Sequence, residues 1–329
     1  MEVSLTDKLS EYEKQKRSEL LSRAGIADDG RADTTAIVRD GDEIIAVGSR
    51  DKNIIKLIAV DESRRGEDLT ATVLTELRKD AFSLGYRHLF LYTKPKNKYM
   101  FSSLFFYPVA QTENVLLLED KKNGINDFVA DLPEYSSKGR VGALIMNCNP
   151  FTLGHRYLAE RASGECEHVF LFVLSEDRSC FSARDRLNMV REGVRDLPNV
   201  TVLETGPYLI STATFPTYFL SEREKADTAQ CELDIEIFSR YFAPRLSISH
   251  RYVGTEPYSP LTKKYNEALK KNLPKRNIEL VEIERKENGG APISASEARR
   301  LIESRDFSAL EGLVPESTIS YLRNKKIIE

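Results

Sequence analysis

The stretch from Val141 to Ser163 leaves the chain few choices of fold. The apolar run VGALIMN passes through Cys-Asn-Pro-Phe-Thr-Leu-Gly into HRYLAERAS, which reads as a helix. A short apolar run bounded by turn residues reads as a buried strand. The alternation continues downstream, with strands expected at 141–147, 168–174, 200–204 and 278–283. Helices are expected at 154–163, 182–195, 233–242 and 261–272, and VGTEP (253–257) closes a further apolar strand. Strand, helix and strand in that order argue for a parallel, doubly wound sheet. Ligands of such sheets sit at the carboxyl ends of the strands, so the loop 147–153 is the first place to look for one.

The residue types in that loop suit an anion. Gly154 permits close backbone approach at the helix start. His155 falls in the first helical turn, beside free N–H groups and the positive end of the helix dipole, and phosphate is the usual anion there. Pro150 stiffens the loop, and Thr152 brings a hydroxyl into the same space. The plainer alternative is that Asn149-Pro150 is only a turn and His155 only a cap. Near the other end of the chain, ISASEAR (293–299) opens a second helix. Ser294 followed by Glu297 has the spacing of a capping box. Hydroxyls of Ser294 and Ser296 at that helix start, with Arg299 a turn further on, could hold phosphate as well. Arg300 is adjacent to Arg299 and could take its place.

The leading 132 residues have a different pattern. AIVRDGDEIIAVGSRDKNIIKLIAVDE reads as strands turning at Asp40-Gly41 and at Asp51-Lys52-Asn53. The helix DLTATVLTELRKDAFSLG follows, with Leu69, Val73, Leu77, Ala81 and Leu84 at helical spacing, then the strand HLFLYT. LPEYSSKGR (132–140) reads as a linker, so the chain is expected to hold two domains, 1–137 and 138–329. The whole chain of 329 residues, 41% of them hydrophobic, has material for two cores. A net charge of -3 gives no reason to expect nucleic acid or an anionic membrane as partner. No apolar run has the length to span a bilayer. The polar N-terminus does not read as a secretory signal. The four cysteines, Cys148, Cys166, Cys180 and Cys231, have no metal spacing, so no protein metal site is expected and a cytoplasmic location is. His88, His168 and His250 stand at strand starts and read as structural.

Thr152-Leu153-Gly154-His155 resembles the T-x-G-H form of the first signature of the nucleotidylyltransferase superfamily, and ISASEAR resembles its second, I-S-x-[ST]-x-x-R. Longer runs narrow the resemblance: SEDRSCFSARDRLNMVREGVRDLPNVTV, ISTATFPTYFL and YFAPRLSISHRYVGTEPYSPLTKKYN. Together they resemble the [citrate (pro-3S)-lyase] ligase family over nearly the whole chain. Asn149-Pro150-Phe151-Thr152 is also similar to the Asn-Pro-Phe-His loop of tRNA-cytidine acetate ligase. IAVDESRRGEDLTATVLTEL resembles the CoA-pyrophosphate motif of GNAT acetyltransferases, with Arg65 and Gly66 matching. Asp68 departs from that motif, since a carboxylate beside pyrophosphate repels it.

The resemblance implies an α/β protein, a GNAT-like α+β domain followed by a Rossmann-like nucleotidylyltransferase domain. It implies that ATP, bound with Mg²⁺, activates acetate as acetyl-adenylate. The acetyl group then passes to the thiol of the phosphoribosyl-dephospho-CoA group on the acyl-carrier (gamma) subunit of citrate lyase. His155 would stabilise charge on the α-phosphate and Thr152 would assist by hydrogen bonding. Asn149, Pro150, Phe151 and Gly154 would line the nucleotide loop. Gly254 and Glu256 would lie by base and ribose, and Ser294, Ser296 and Arg299 would hold the outer phosphates. One of Arg178, Arg184 and Arg186 could add a phosphate contact, although a surface position on a helix is the better reading for each singly. A general base is not needed, because acetate is ionised at neutral pH, and a nucleophilic role for Cys148 is not needed either. Two other functions compete: a dinucleotide-forming adenylyltransferase of the pantetheine-phosphate or nicotinamide-mononucleotide type, and a non-catalytic regulator that binds the carrier protein. The leading domain reads best as a docking module.

Overall fold

The structure, a computed structural model, describes residues 1–175, 179–209, 218–220, 223–256 and 260–328. It forms two compact units, Met1–Ile125 with Pro216–Glu236 and Asn126–Phe215 with Ile237–Glu329. The single boundary expected at 137/138 differs from these units in two respects. Residues 126–137 belong with the second unit, where Arg245 donates to the carbonyls of Ala130 and Leu132, both at 3.0 Å. Tyr135 of the expected linker stacks on His168 at 4.8 Å. Residues 216–236 belong with the first unit, where Tyr218 donates its hydroxyl to the Tyr92 carbonyl and accepts from the Ala27 N–H.

In the first unit the strands are β1 Glu2–Thr6, β2 Thr34–Asp40, β3 Glu43–Asp51, β4 Ile54–Val60, β5 Phe90–Thr93, β6 Tyr107–Gln111 and β7 Leu116–Glu119. The helices are α1 Glu11–Arg23, α2 Leu69–Ser83, α3 Lys98–Ser103 and α4 Gly124–Ala130, the last running into the second unit. One sheet takes the order β1-β2-β3-β4-β5-β7-β6, antiparallel except for β4 and β5. Leu69, Val73, Leu74, Leu77 and Ala81 of α2 are buried against it. Gly48 makes that packing possible, because a Cβ there would stand 2.3 Å from Val73 Cγ1. The parallel pair β4 and β5 is joined only at Ile54↔Phe90 and Ile55↔Leu91. Beyond that point a cavity of about 530 Å³ lies between Lys56–Val60 and Leu91–Lys94.

The second unit is the doubly wound sheet expected from the sequence. Its strands β8 Val141–Met146, β9 His168–Val173, β10 Val200–Glu204, β11 His250–Gly254 and β12 Glu279–Ile283 are all parallel, in the order β10-β9-β8-β11-β12. Winding reverses between β8 and β11, so the switch point faces the carboxyl ends of Met146 and Gly254. Its helices are α5 Leu153–Glu165, α6 Ala183–Gly193, α8 Ala243–Arg245, α9 Pro260–Asn272, α10 Ala295–Ser304, α11 Phe307–Leu310 and α12 Glu316–Asn324, while α7 Arg223–Ile237 belongs, but for its last residue, to the first unit. The helix expected at 233–242 begins ten residues earlier and ends in a π-helical turn, Phe238–Phe242. A two-residue ribbon, β13 Glu287–Asn288 with β14 Ala291–Pro292, turns on Gly289 (φ 60°) and Gly290 (φ 80°). That pair of positive angles favours glycine.

Candidate active site

The loop after β8 is held from beneath. Cys148 adopts a left-handed backbone (φ 51°), and the Asn149–Pro150 peptide is cis. Arg186 of α6 is wholly buried and donates to the carbonyl and side-chain oxygens of Asn147, at 2.8 and 2.7 Å. Asn149 Oδ1 accepts the Phe181 N–H at 3.1 Å. The Phe151 ring is wholly buried against Gly193, where a Cβ would come within 2.3 Å of it. The Phe151 carbonyl accepts from the Thr318 hydroxyl at 3.0 Å. Two expectations are corrected by this arrangement. Arg186 clamps the loop rather than facing phosphate, and the Phe151 ring is an anchor below the loop rather than part of its lining. Arg184 is exposed, and Arg178 lies outside the described residues.

Thr152 and His155 form a reciprocal cap on α5. The Thr152 Oγ1 accepts the His155 N–H at 3.3 Å, and His155 Nδ1 accepts the Thr152 N–H at 3.1 Å. Thr152 is 2% exposed, so its hydroxyl positions His155 instead of reaching a ligand, a third correction. An Nδ1 that accepts a backbone N–H places the ring proton on Nε2. Burial, and after it the charge of Arg285, push the imidazole down to about 4, so at neutral pH the ring is uncharged with Nε2–H left to donate. Of the other first-turn amides, Leu153 donates to the Leu313 carbonyl at 2.8 Å. The Gly154 N–H has no such partner among the described residues. No acidic residue occupies the first turn of α5.

The second motif lies against the first. An added Cβ on Gly154 would stand 3.6 Å from Ile293, in ordinary contact. Arg299 donates to the Asn149 carbonyl at 2.6 Å and to the Ser296 hydroxyl at 2.9 Å. Ser294 caps α10 by accepting the Ser296 N–H at 3.2 Å. The reciprocal bond expected from Glu297 does not form, because its carboxylate pairs with Arg300 at 2.6 Å. Arg300 is exposed and committed to that pair, which leaves Arg299 as the guanidinium joining the two motifs.

Gly254 closes β11, with its carbonyl held by the Asn266 amide at 3.0 Å. The Glu256 side chain is 6% exposed and ion-paired with Arg285. Arg285 also donates from Nε to the Thr255 carbonyl at 2.6 Å. Reading motifs alone missed Arg285, although it stands two residues past β12. The rule that carboxyl ends hold sites would have found it. His88, His168 and His250 are engaged elsewhere, with Glu119, Thr201 and Ser249 as partners. Cys148 is 1% exposed, and burial pushes its thiol well above the usual range, away from nucleophilic use. The resulting donor set is the Gly154 N–H, neutral His155, two serine hydroxyls and the guanidinium of Arg299, with Arg285 nearby. It suits an oxyanion.

Residues 141–322 match the family model described as the citrate lyase ligase C-terminal domain. A [citrate [pro-3S]-lyase] ligase of Klebsiella pneumoniae is 42% identical over 285 residues, covering 85% of this chain and 83% of that one. The protein of the same name from Escherichia coli K12 is 38% identical, covering 95% of this chain and 94% of that one. One from Haemophilus influenzae is 38% identical, with 86% and 87% covered.

Proposed function

The chain belongs to the citrate lyase ligase family and is a ligase of that kind, and from that premise we propose that the site between α5 and α10 activates acetate with ATP. The observation that supports this reading is the bond from Arg299 to the Asn149 carbonyl, which ties the second motif to the loop carrying His155. In the proposed reaction an acetate oxygen attacks the α-phosphorus, the bond to the β-phosphate oxygen breaks, and pyrophosphate leaves with the electron pair. The carrier thiol then attacks the acetyl carbon, the thiol proton is lost, and AMP leaves.

The protein's part in the first step is positioning and charge neutralisation. Neutral His155 donates from Nε2 to the α-phosphate as charge builds there. The Gly154 N–H, Ser294, Ser296 and Arg299 hold the outer phosphates. Thr152, Arg186 and Phe151 fix the loop. Arg285 holds Glu256 beside the nucleotide. Among the described residues no three His, Cys, Asp or Glu side chains gather to hold a metal, so the proposed Mg²⁺ arrives on the phosphates, whose charge it neutralises. The proposed acceptor is the phosphoribosyl-dephospho-CoA thiol of the citrate lyase carrier subunit. A cytoplasmic location is supported by four cysteines that are all free.

Acetate-dependent exchange of pyrophosphate into ATP tests the reading. Exchange in a folded sample, followed by AMP release when thiol-form carrier is added, is the expected result. Formation of a dinucleotide without AMP would replace it with an adenylyltransferase. Carrier binding without any exchange would replace it with a regulator.

A further inference from the structure

In the first unit, the segment Lys94–Phe105 that follows β5 has a composition the fold does not require. It carries Lys94, Lys96 and Lys98 and no carboxylate, in a chain whose net charge is -3. None of the three lysines forms an ion pair among the described residues, whereas Arg64 and Arg65 across the cavity are paired with Glu67, Asp40 and Glu62. Tyr99 is 86% exposed and Phe105 68% exposed, an unusual presentation of two aromatic rings close together in sequence. Phe105 is held in the left-handed region (φ 60°), a costly conformation for a bulky residue. Arg78 stabilises it by donating to the carbonyls of Leu104 and Phe105 at 2.9 and 3.2 Å. Strained backbone that turns an aromatic outward is a mark of a binding surface.

The segment is also a wall of the cavity. Lys94, Lys96 and Met100 line it, facing the edges of β4 and β5 where these strands part. A volume of about 530 Å³ is large enough for an extended organic chain and far too small for a folded protein. A basic edge on such a cavity, with exposed aromatics on the same segment, fits a protein that brings a long arm with it.

We propose that Lys94–Phe105 is the docking surface for the carrier subunit, which meets it with an acidic face. This rests on the reading of the carrier as acetyl acceptor. The lysines steer an acidic partner and make the encounter sensitive to salt. Tyr99 and Phe105 supply apolar contact area.

The test compares the full chain with Lys94→Glu/Lys96→Glu/Lys98→Glu and, separately, with Tyr99→Ser, which keeps the charge. The probe is the purified carrier subunit in its thiol form, used both in transfer assays and in direct binding without ATP. The triple variant should raise KM for the carrier at least tenfold and leave acetate-dependent exchange within twofold. Transfer to free dephospho-CoA should also stay within twofold. Binding by the unaltered chain should weaken as salt rises. A carrier KM and binding curve unchanged in both variants would overturn the docking surface, as would binding indifferent to salt. Where the triple variant melts early, Tyr99→Ser with normal exchange and weakened carrier binding supports the surface, and unaltered carrier binding overturns it. Absence of exchange in the unaltered chain, with carrier binding weakened by the triple variant, would overturn acetate activation and leave the surface standing.

Discussion

Two crossings from strand to helix, β4 to α2 and β8 to α5, have sequences that suggest a phosphate site, and their side chains treat the helix start in opposite ways. At α5 the first turn has no carboxylate, the Gly154 amide has no described partner, and cations approach from Arg299 and Arg285. At α2 the N-cap is Asp68, in a left-handed conformation with no side-chain cap bond. The arginines before it are neutralised, Arg64 by Glu67 and Asp40 and Arg65 by Glu62. Both helices offer the same backbone dipole. At α5 the Gly154 amide stays open with cations facing it, whereas at α2 a carboxylate stands at the N-cap and the arginines before it are already paired, so backbone geometry makes an anion site only where side chains do not already supply the negative charge.

The sharpest way to break this contrast is His155→Ala. Exchange should fall roughly a hundred- to a thousand-fold, about 2.7–4 kcal/mol, while MgATP still binds, because the lost donor acts mainly in the transition state. The same change removes the acceptor of the Thr152 N–H, so melting should register a loss of about 1 kcal/mol, the usual worth of a cap. Full exchange activity in a folded variant would reduce His155 to a cap alone. A smaller effect is expected from Arg299→Ala. It should raise the Michaelis constant for ATP roughly ten- to a hundred-and-fifty-fold, equivalent to about 1.5–3 kcal/mol, the worth of a charge-assisted bond. Arg300→Ala and, in the other crossing, Arg65→Ala should leave that constant within twofold. Equal effects at Arg299 and Arg65 would erase the distinction between the two helix starts.

The smallest signal is the titration of His155, read by NMR on the free protein and assigned by its loss in His155→Ala. The midpoint should lie near 4 rather than 6.5. The sign for stability follows from linkage. With the imidazole lowered by folding, the unfolded chain takes the proton first. Stability from this group is therefore complete above about 6.5 and is lost as pH falls toward about 4. A midpoint at 6.5 would mean that the ring is neither buried nor held as its bonds to Thr152 require.

Much of the second unit was legible because its strands are short apolar runs and its motifs fall at strand ends. The five parallel strands, the loop at 147–153 and the helix start at ISASEAR all carry local signals. What was hidden depends on contacts distant in sequence. That Arg186 faces inward is decided by Asn147 and Phe181, not by its place on a helix. The capping box was legible as a pattern at Ser294, yet the reciprocal cap formed at Thr152, where a histidine nitrogen does what a glutamate usually does. Glu256 was seen without its partner, because Arg285 arrives from another strand. The helix α1 was not foreseen, since EYEKQKRSELLSR has few apolar positions and buries only Arg17, Leu20 and Leu21.

The return of 216–236 to the first unit also sets an order of events during synthesis. Tyr218 and Phe219 line the β4–β5 cavity, and Lys56, 3% exposed there, lies under the Tyr218 ring at 5.4 Å. About 90 residues separate Ile125 from Pro216. At roughly 5–20 residues per second, the nascent first unit waits on the order of 5–20 s for its last wall. Until then Lys56 has Asp29 as its counter-ion and no aromatic cover. A ribosome stalled after residue 137 would therefore display an unfinished cavity, and chaperones that recognise open apolar surface would meet it before the second unit exists.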